Sequence, residues 1–202
     1  GIVVTHEHSD HIGGVGRLAR KHRLPVWLTA GTLAMAQDLD GVAVQVIDSH
    51  AAFALEGLEV QPYPVPHDAR EPVQYVFGDG DRRLGVLTDT GCSTPHIEAM
   101  LAGVDALVLE CNHDATMLEN GPYPVGLKRR VGGRFGHLEN AQSAALLDRL
   151  KHGKLQCVMA AHVSKKNNTS ELAQRALARV LNCADDEVRV ACQTTGFDWI
   201  TL

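Results

Sequence analysis

The 202-residue chain has no apolar run near the ~20 residues of a membrane-spanning helix, so no stretch of it reads as one. It also has no Cys-x-x-Cys pair. Its five cysteines, Cys92, Cys111, Cys157, Cys183 and Cys192, are odd in number and sit mostly in apolar surroundings such as Gln156-Cys157-Val158-Met159. That argues against a disulfide framework and predicts reduced, buried thiols in a cytoplasmic protein. Positive charge is short as well: 19 Lys and Arg face 24 Asp and Glu, a net charge of −5. Coating of nucleic acid by the whole surface is excluded, whereas a local basic patch can still hold phosphates. Repeats, low-complexity segments and linker composition are absent, and 45% hydrophobic content suffices for a full core, so residues 1–202 are expected to form one domain. There is no initiator Met and no signal peptide, and Gly1-Ile2-Val3-Val4 already reads as a strand. The expectation is that upstream residues are missing.

The first half reads as strand-rich with hairpins. A helix is predicted over 12–23, stopped by Pro25, then a buried strand over 25–29 and a helix over 32–39. Strands follow over 42–48, 50–66 and 73–77, with Gly78-Asp79-Gly80-Asp81 as a hairpin turn into 83–88. The second half alternates helix and strand. Helices are expected over 95–102 (Thr94 capping, Pro95 in the first turn), 113–131 with a break at Gly121-Pro122, 139–152, and from an Asn168-x-x-Glu171 capping box to about 182. Strands are expected over 106–110, 155–161, 188–192 and 197–201. Helices on the outer faces of packed sheets is the simplest α/β architecture for this order.

Thr5-His6-Glu7-His8-Ser9-Asp10-His11 stands apart, because five of its seven residues are ligands or acids. Positions i and i+2 of a helix point roughly 160° apart, so His6 and His8 converge only in an extended segment or tight loop. The reading is strand, ligand-bearing loop, then a helix entered near His11, with Gly13-Gly14 allowing close backbone approach. Three imidazoles and a carboxylate exceed one closed structural site and suit two adjacent ions with further ligands from elsewhere. An adventitious surface cluster is the bland alternative. The His6-x-His8-x-Asp10-His11 pattern resembles the signature of the metallo-β-lactamase-fold superfamily. That resemblance implies an αββα sandwich, here expected to lack its first N-terminal strands.

Three further candidates stand at ends of predicted strands, where loops carry chemistry on a rigid scaffold. His67 follows the Pro-rich Pro62-Tyr63-Pro64-Val65-Pro66; Asp89 ends Gly85-Val86-Leu87-Thr88 before a Gly turn; His162 ends Cys157-Val158-Met159-Ala160-Ala161. Singly, each reads equally as a loop or capping residue. Together they match the superfamily's order of ligands. The resemblance implies that His6, His8 and His67 hold one divalent ion, Asp10, His11 and His162 a second, and that Asp89 bridges them. Imidazole with carboxylate favours zinc, with manganese or iron as alternatives. Cys92 lies near Asp89, where a space-filling role is favoured over approach to the metals.

Glu110-Cys111-Asn112-His113-Asp114, the following Asn120-Gly121-Pro122, Gly136-His137-Leu138-Glu139-Asn140 and Ala161-His162-Val163-Ser164 resemble the YycJ/WalJ group within that superfamily. Glu139 replaces the group's usual Ser, and Cys111 takes the small middle position. The resemblance implies an exonuclease acting on DNA. A metal-bridging hydroxide would be the nucleophile. Asp10 and His137 are the catalytic candidates, His137 by likeness to the His that protonates the leaving group in tRNase Z relatives. Lys128, Arg129, Arg130 and Arg134 have no acid between them, and Lys165 and Lys166 follow His162 closely. Lys128, Arg129, Arg130 and Lys165 are the candidate phosphate contacts, with solvated helix faces as the alternative. Asp114 is read as a helix cap or a border of the site, and His22, His50, His96 and His152 as surface or structural. Two other classes stay open: a hydrolase of the same fold acting on a small phosphodiester, thioester or lactam, and a non-catalytic nucleic-acid-binding protein. The oligomeric state is not legible.

Overall fold

The computed structural model describes residues 1–202. Strand β1 (Ile2–Val3) leads into two short helices, α1 (Ser9–Ile12) and α2 (Val15–His22). These replace the single helix expected over 12–23. The first begins two residues before His11, because the His8 carbonyl accepts from the amides of both His11 and Ile12. Then follow β2 (Val26–Thr29), α3 (Ala30–Met35) and β3 (Val44–Ile47). Helix α3 starts earlier than expected because the Thr29 hydroxyl caps it, accepting from the Thr32 amide. These three strands form a small parallel sheet in the order β1-β2-β3.

The expected strand over 50–66 is a hairpin, β4 (Phe53–Leu55) and β5 (Leu58–Pro64), turned at Glu56 and Gly57, both with positive φ. The chain continues through β6 (Val73–Gly78), β7 (Arg83–Leu87), α4 (Pro95–Leu101), β8 (Ala106–Glu110), α5 (Ala115–Asn120), α6 (Val125–Val131), α7 (Asn140–Leu150), β9 (Cys157–Ala161), α8 (Ser170–Leu181) and β10 (Arg189–Val190). The second sheet has seven strands in the order β10-β9-β8-β7-β6-β5-β4. It is antiparallel from β4 to β7 and parallel from β7 to β10.

Strand alternation decides the layers. Val76, Leu87, Leu107, Leu109, Val158 and Ala160 face α4, α7 and α8, and pack on Ile97, Leu101, Leu146, Leu147 and Leu177 in one buried cluster. The opposite face meets the small sheet: Val60, Val73 and Tyr75 pack with Val3 and Ile47, and the Tyr75 hydroxyl donates to the Val4 carbonyl at 2.7 Å. The outer face of the small sheet is closed by Ile12, Val15 and Ala19 against Val26 and Leu28. The result is the expected αββα sandwich. No helix is long and apolar enough to cross a membrane.

Three sequence expectations need correction. Residues 197–201 form no strand. The chain turns at Gly196, whose amide donates to the Cys192 carbonyl, and then crosses the face of the large sheet. There Phe197, Ile200 and Leu202 line a cavity of about 560 Å³ with Leu84, Val108 and Met159. A short run rich in apolar residues signals apolar contact, but it cannot tell a sheet face from a sheet edge. The cap of α8 is Thr169, accepting from the Leu172 amide, and not Asn168, which is buried and hydrogen-bonds Asn140 and the Cys111 carbonyl. All five cysteines are free, but only Cys111 is fully buried and Cys192 is exposed. The caps at Thr94 and Asp114 are as read from the sequence.

Candidate metal centre

The loops at one edge of the sandwich bring the seven ligand candidates together. Val4 is buried at the end of β1, and the Thr5 carbonyl accepts from the Val73 amide, so the His-rich loop is pinned where it leaves the sheet. His8 keeps an extended backbone (φ −62°, ψ 145°), which turns it onto the same side as His6. The single turn of α1 then places Asp10 and His11 beside them.

A first pocket consists of His6, His8 and His67. His6 Nε2 lies 3.0 Å and His67 Nε2 3.2 Å from His8 Nδ1. Nitrogens on a tetrahedral zinc stand about 3.3 Å apart. His6 and His67 are almost fully buried. Burial first, and then the neighbouring imidazoles, hold the His6 pKa down at about 3. Burial likewise lowers His67. Both rings are therefore neutral, which is the form that binds a metal.

A second pocket consists of Asp10, His11 and His162, and it is looser. Asp10 Oδ2 is 3.5 Å from His11 Nε2 and 3.7 Å from His162 Nε2. The Asp10 side chain is 64% exposed, which marks this pocket as the open side of the centre.

Asp89 joins the two. It is 2% exposed, with Oδ2 3.1 Å from His11 Nε2 and Oδ1 3.8 Å from His67 Nε2. Oδ2 is buried and lacks a hydrogen-bond partner of acceptable geometry. Burial works to raise this carboxyl, but the surrounding histidines outweigh it, and it stays ionised far below the usual carboxylate range. A buried, charged and unpartnered oxygen facing converging imidazoles is what a divalent ion would satisfy. Asp89 and His162 both adopt positive φ, 47° and 54°, an uncommon backbone state for residues other than glycine. Nearby, Gly91 has no room for a Cβ, which would stand 2.2 Å from the Arg134 carbonyl oxygen.

The nitrogens facing away from the pockets are also held. Thr5 Oγ1 lies 3.0 Å from His6 Nδ1 and 3.1 Å from His11 Nδ1, so one hydroxyl oxygen can accept from both rings. His67 Nδ1 donates to the Gly136 carbonyl at 3.0 Å and His162 Nδ1 to Glu110 Oε1 at 2.9 Å. Such partners fix tautomer and ring orientation.

Glu110, quoted in the sequence only as the head of a motif, is a residue whose place beside the centre sequence reasoning did not assign. It is fully buried at the end of β8. Its Oε1 accepts from His162 Nδ1 and from His137 Nδ1, each at 2.9 Å, and its Oε2 from the amides of Thr90 and Leu138. Burial raises it, the two imidazoles outweigh burial, and the carboxyl remains ionised. Burial lowers His162, but Glu110, Asp89 and Asp10 together push it up to about 9. The signal in the sequence was an acid closing the apolar run Ala106-Leu107-Val108-Leu109, a place where a charge needs a reason.

His137 thus stands beside the centre, 3.6 Å from Asp89 Oδ1, and its ring lines a cavity of about 690 Å³ with His162, Asn112, Tyr123 and Lys165. Of the basic candidates, only Lys165 lines this cavity. Lys128 donates to the Glu119 carbonyl, Arg129 is exposed on α6, and Arg130 pairs through Nε with Asp68. Cys92 belongs to none of the ligand clusters. Asp114 caps α5, and His113 is buried with its carbonyl accepting from Asn140.

Residues 1–159 match the model of the β-lactamase superfamily domain. The chain is 38% identical over 185 residues to the exodeoxyribonuclease YycJ of Bacillus anthracis, covering 90% of this chain and 70% of that protein. It is 31% identical over 190 residues to the exodeoxyribonuclease WalJ of Streptococcus pneumoniae, covering 91% and 71%. Among solved structures it is similar to the metallo-β-lactamase-fold protein YhfI of Bacillus subtilis, with a TM-score of 0.73, 16% identity and 98% and 76% of the two chains covered. It is also similar to Zn²⁺-bound PqqB of Methylobacterium extorquens, with a TM-score of 0.70, 21% identity and 98% and 72% covered. With this fold, a cluster suited to divalent metal ions and relatives at this identity, the chain belongs to the β-lactamase superfamily as a metal-dependent hydrolase resembling YycJ and WalJ.

Proposed function

We propose that the chain is a dinuclear metal-dependent phosphodiesterase that removes nucleotides from DNA. The observation that carries this reading is the pair of three-ligand pockets joined through one buried carboxylate: His6, His8 and His67 on one side, Asp10, His11 and His162 on the other, Asp89 between. The exodeoxyribonuclease names of its relatives supply the substrate class. His6, His8, His67, Asp10, His11, His162 and Asp89 would hold two divalent ions, zinc first, which would supply a nucleophile from water at neutral pH and offset charge on the phosphoryl oxygens.

The protein's own residues do the rest. Asp10, exposed at the edge of the second pocket and held ionised by His11 and His162 against the effect of burial, accepts the proton of the incoming water. His137, held through Nδ1 by Glu110, lines the cavity and is the group placed to donate to the leaving oxygen. Lys165 borders that cavity, and Lys128 and Arg129 lie on α6, the helix that leads to His137, so a phosphate backbone has cations along its approach.

The test is digestion of end-labelled duplex and single-stranded DNA, beside a small phosphodiester, a thioester and a lactam. The expected result is metal-dependent release of nucleotides, reduced about 10²–10⁴-fold by His137→Ala at unchanged metal content. Turnover of a small substrate alone would place the chain with the other hydrolases of this fold. DNA binding with no turnover of any substrate would make it a binding protein.

A further inference from the structure

Four of the five histidines at ligand positions have their outward nitrogen anchored: His6 and His11 on Thr5, His67 on Gly136, and His162 on Glu110. His8 is the exception. It turns Nδ1 into the first pocket, so with an ion on that nitrogen the proton would sit on Nε2, which makes no hydrogen bond here. The single acid near it is Asp68, whose Oδ1 stands 3.7 Å from His8 Nε2 and 3.6 Å from His67 Nε2, the latter nitrogen already turned into the pocket. Asp68 follows His67 directly, is 29% exposed, and gives its other oxygen, Oδ2, to the Nε of Arg130. A carboxylate held at one oxygen by a planar guanidinium presents the other at a defined place.

We propose that Asp68 is the positioning residue for His8, accepting its Nε2–H when an ion seats in the first pocket, and that Arg130 is the strut that holds Asp68 there. The gap to close is about 0.8 Å, from 3.7 Å to a hydrogen bond of about 2.9 Å. A small side-chain rotation covers it. The same short region already serves the centre twice. The Gly136 carbonyl holds His67, and the amide of the next residue, His137, donates to the Val131 carbonyl at the end of α6. A Cβ on Gly136 would lie 2.1 Å from the Arg130 carbonyl oxygen, so this loop is pressed onto the residue that carries the strut. The helix proposed to meet the phosphate backbone is thereby mechanically tied to the first pocket. Arg130, although 60% exposed, is committed to the metal support in the resting protein.

This inference rests on the reading of His6, His8 and His67 as one metal pocket. A strut and a phosphate contact differ in what they change. Loss of a phosphate contact raises KM for DNA and leaves metal affinity alone. Loss of a strut weakens the first-pocket ion with no substrate present.

The experiment titrates Zn²⁺ into the metal-free full chain against a chromophoric chelator, for wild type, Asp68→Asn, Arg130→Gln and Arg130→Lys. The expected result for Asp68→Asn is a first equivalent weakened about 10–100-fold, with the second unchanged. Arg130→Gln weakens the first equivalent less, and Arg130→Lys recovers part of that loss. In ¹⁵N-histidine NMR of the Zn²⁺-loaded protein, the His8 Nε2–H is protected in wild type and lost to exchange in Asp68→Asn, while the His67 Nδ1–H persists. Wild-type affinity for both ions in Asp68→Asn, with the His8 proton still protected, overturns the inference. So does a raised KM in Arg130→Gln at unchanged metal affinity. Should Asp68→Asn fail to fold, Arg130→Gln alters only an exposed side chain and carries both measurements. A wild-type chain that takes up fewer than two ions would instead overturn the two-pocket reading beneath it.

Discussion

The two pockets share Asp89 and sit in one loop cluster, yet they differ in readiness. The first is all imidazole, closed to 3.0 and 3.2 Å, with His6 and His67 buried and neutral. The second is open to 3.5 and 3.7 Å, carries an exposed carboxylate, and has in His162 a ring held protonated up to about pH 9. The difference comes from second partners as well as from ligand types, since Glu110 adds to the charge of Asp89 and Asp10 around His162. Thr5 and Gly136 offer neutral oxygens, which select a tautomer without holding a charge. Glu110 offers a buried carboxylate, which selects the same tautomer but also stabilises the imidazolium. The centre is therefore expected to fill in order, first pocket before second.

The largest effect is expected where the pockets meet. Asp89→Asn tolerates the positive φ at this position, as Asn is among the residues best suited to it, and removes only the charge. Metal analysis of the purified variant is expected to give one ion per chain where wild type gives two. Hydrolysis should fall by several kcal/mol of transition-state stabilisation, about 10³-fold or more. Two ions bound at wild-type affinity would mean that the pockets are independent and that the comparison has no shared element.

The next effect concerns protons. His162 is raised from 6.5 to about 9 in the metal-free protein, so its extra stabilisation is fully present below pH 6.5 and is lost as pH rises through 9. The same proton must leave before Nε2 can take an ion. Affinity for the second equivalent of Zn²⁺ is therefore expected to rise about tenfold per pH unit from neutrality to about pH 9 and then to level off. The first equivalent, seated beside the neutral rings of His6 and His67, should vary far less over that range. Glu110→Gln lowers the pH at which the second equivalent levels off and leaves the first unchanged. Calorimetric titrations at three pH values separate the two. Parallel curves for both equivalents would contradict the assignment of the titrating ring to the second pocket.

What the sequence disclosed and what it hid follow the same physics. The cluster at His6, His8, Asp10 and His11 was legible because four ligands within six residues have few other uses. Without the resemblance, His67, Asp89 and His162 were legible only as polar residues at strand ends, and it is the order of β5, β7 and β9 in the sheet region that brings those ends together. The layers were legible because alternation in β6 to β9 assigns one face to the helices. Glu110 and Thr5 were not recognised. Their roles depend on ring orientations: Glu110 meets histidines 27 and 52 positions away, and Thr5 one 6 positions away. No spacing rule encodes that. Arg130 sits in a run of cations that reads as a phosphate rim, while its partner Asp68 lies 62 positions earlier. The tail at 197–201 was misread because a short apolar run marks contact and leaves open whether the contact is an edge or a face.

The smallest effect sharpens the comparison from the other side, at the one oxygen the two pockets share outside the centre. Thr5 Oγ1 lies near His6 in the first pocket and His11 in the second, at 3.0 and 3.1 Å. Thr5→Val keeps the branched shape of a residue that leaves the sheet and removes only the acceptor. Both outward Nδ1–H groups lose a partner, and neither ring leaves the protein's interior, so the loss is one of orientation. Affinity is expected to fall about tenfold for each equivalent, the low end for partners of this kind, with Thr5→Ser restoring both. Competition titrations read the two equivalents separately. A fall in the second alone would mean that His6 is held by burial and packing and needs no acceptor. That would sharpen the contrast drawn above, because the first pocket would then be preformed by its core and the second by its hydrogen bonds.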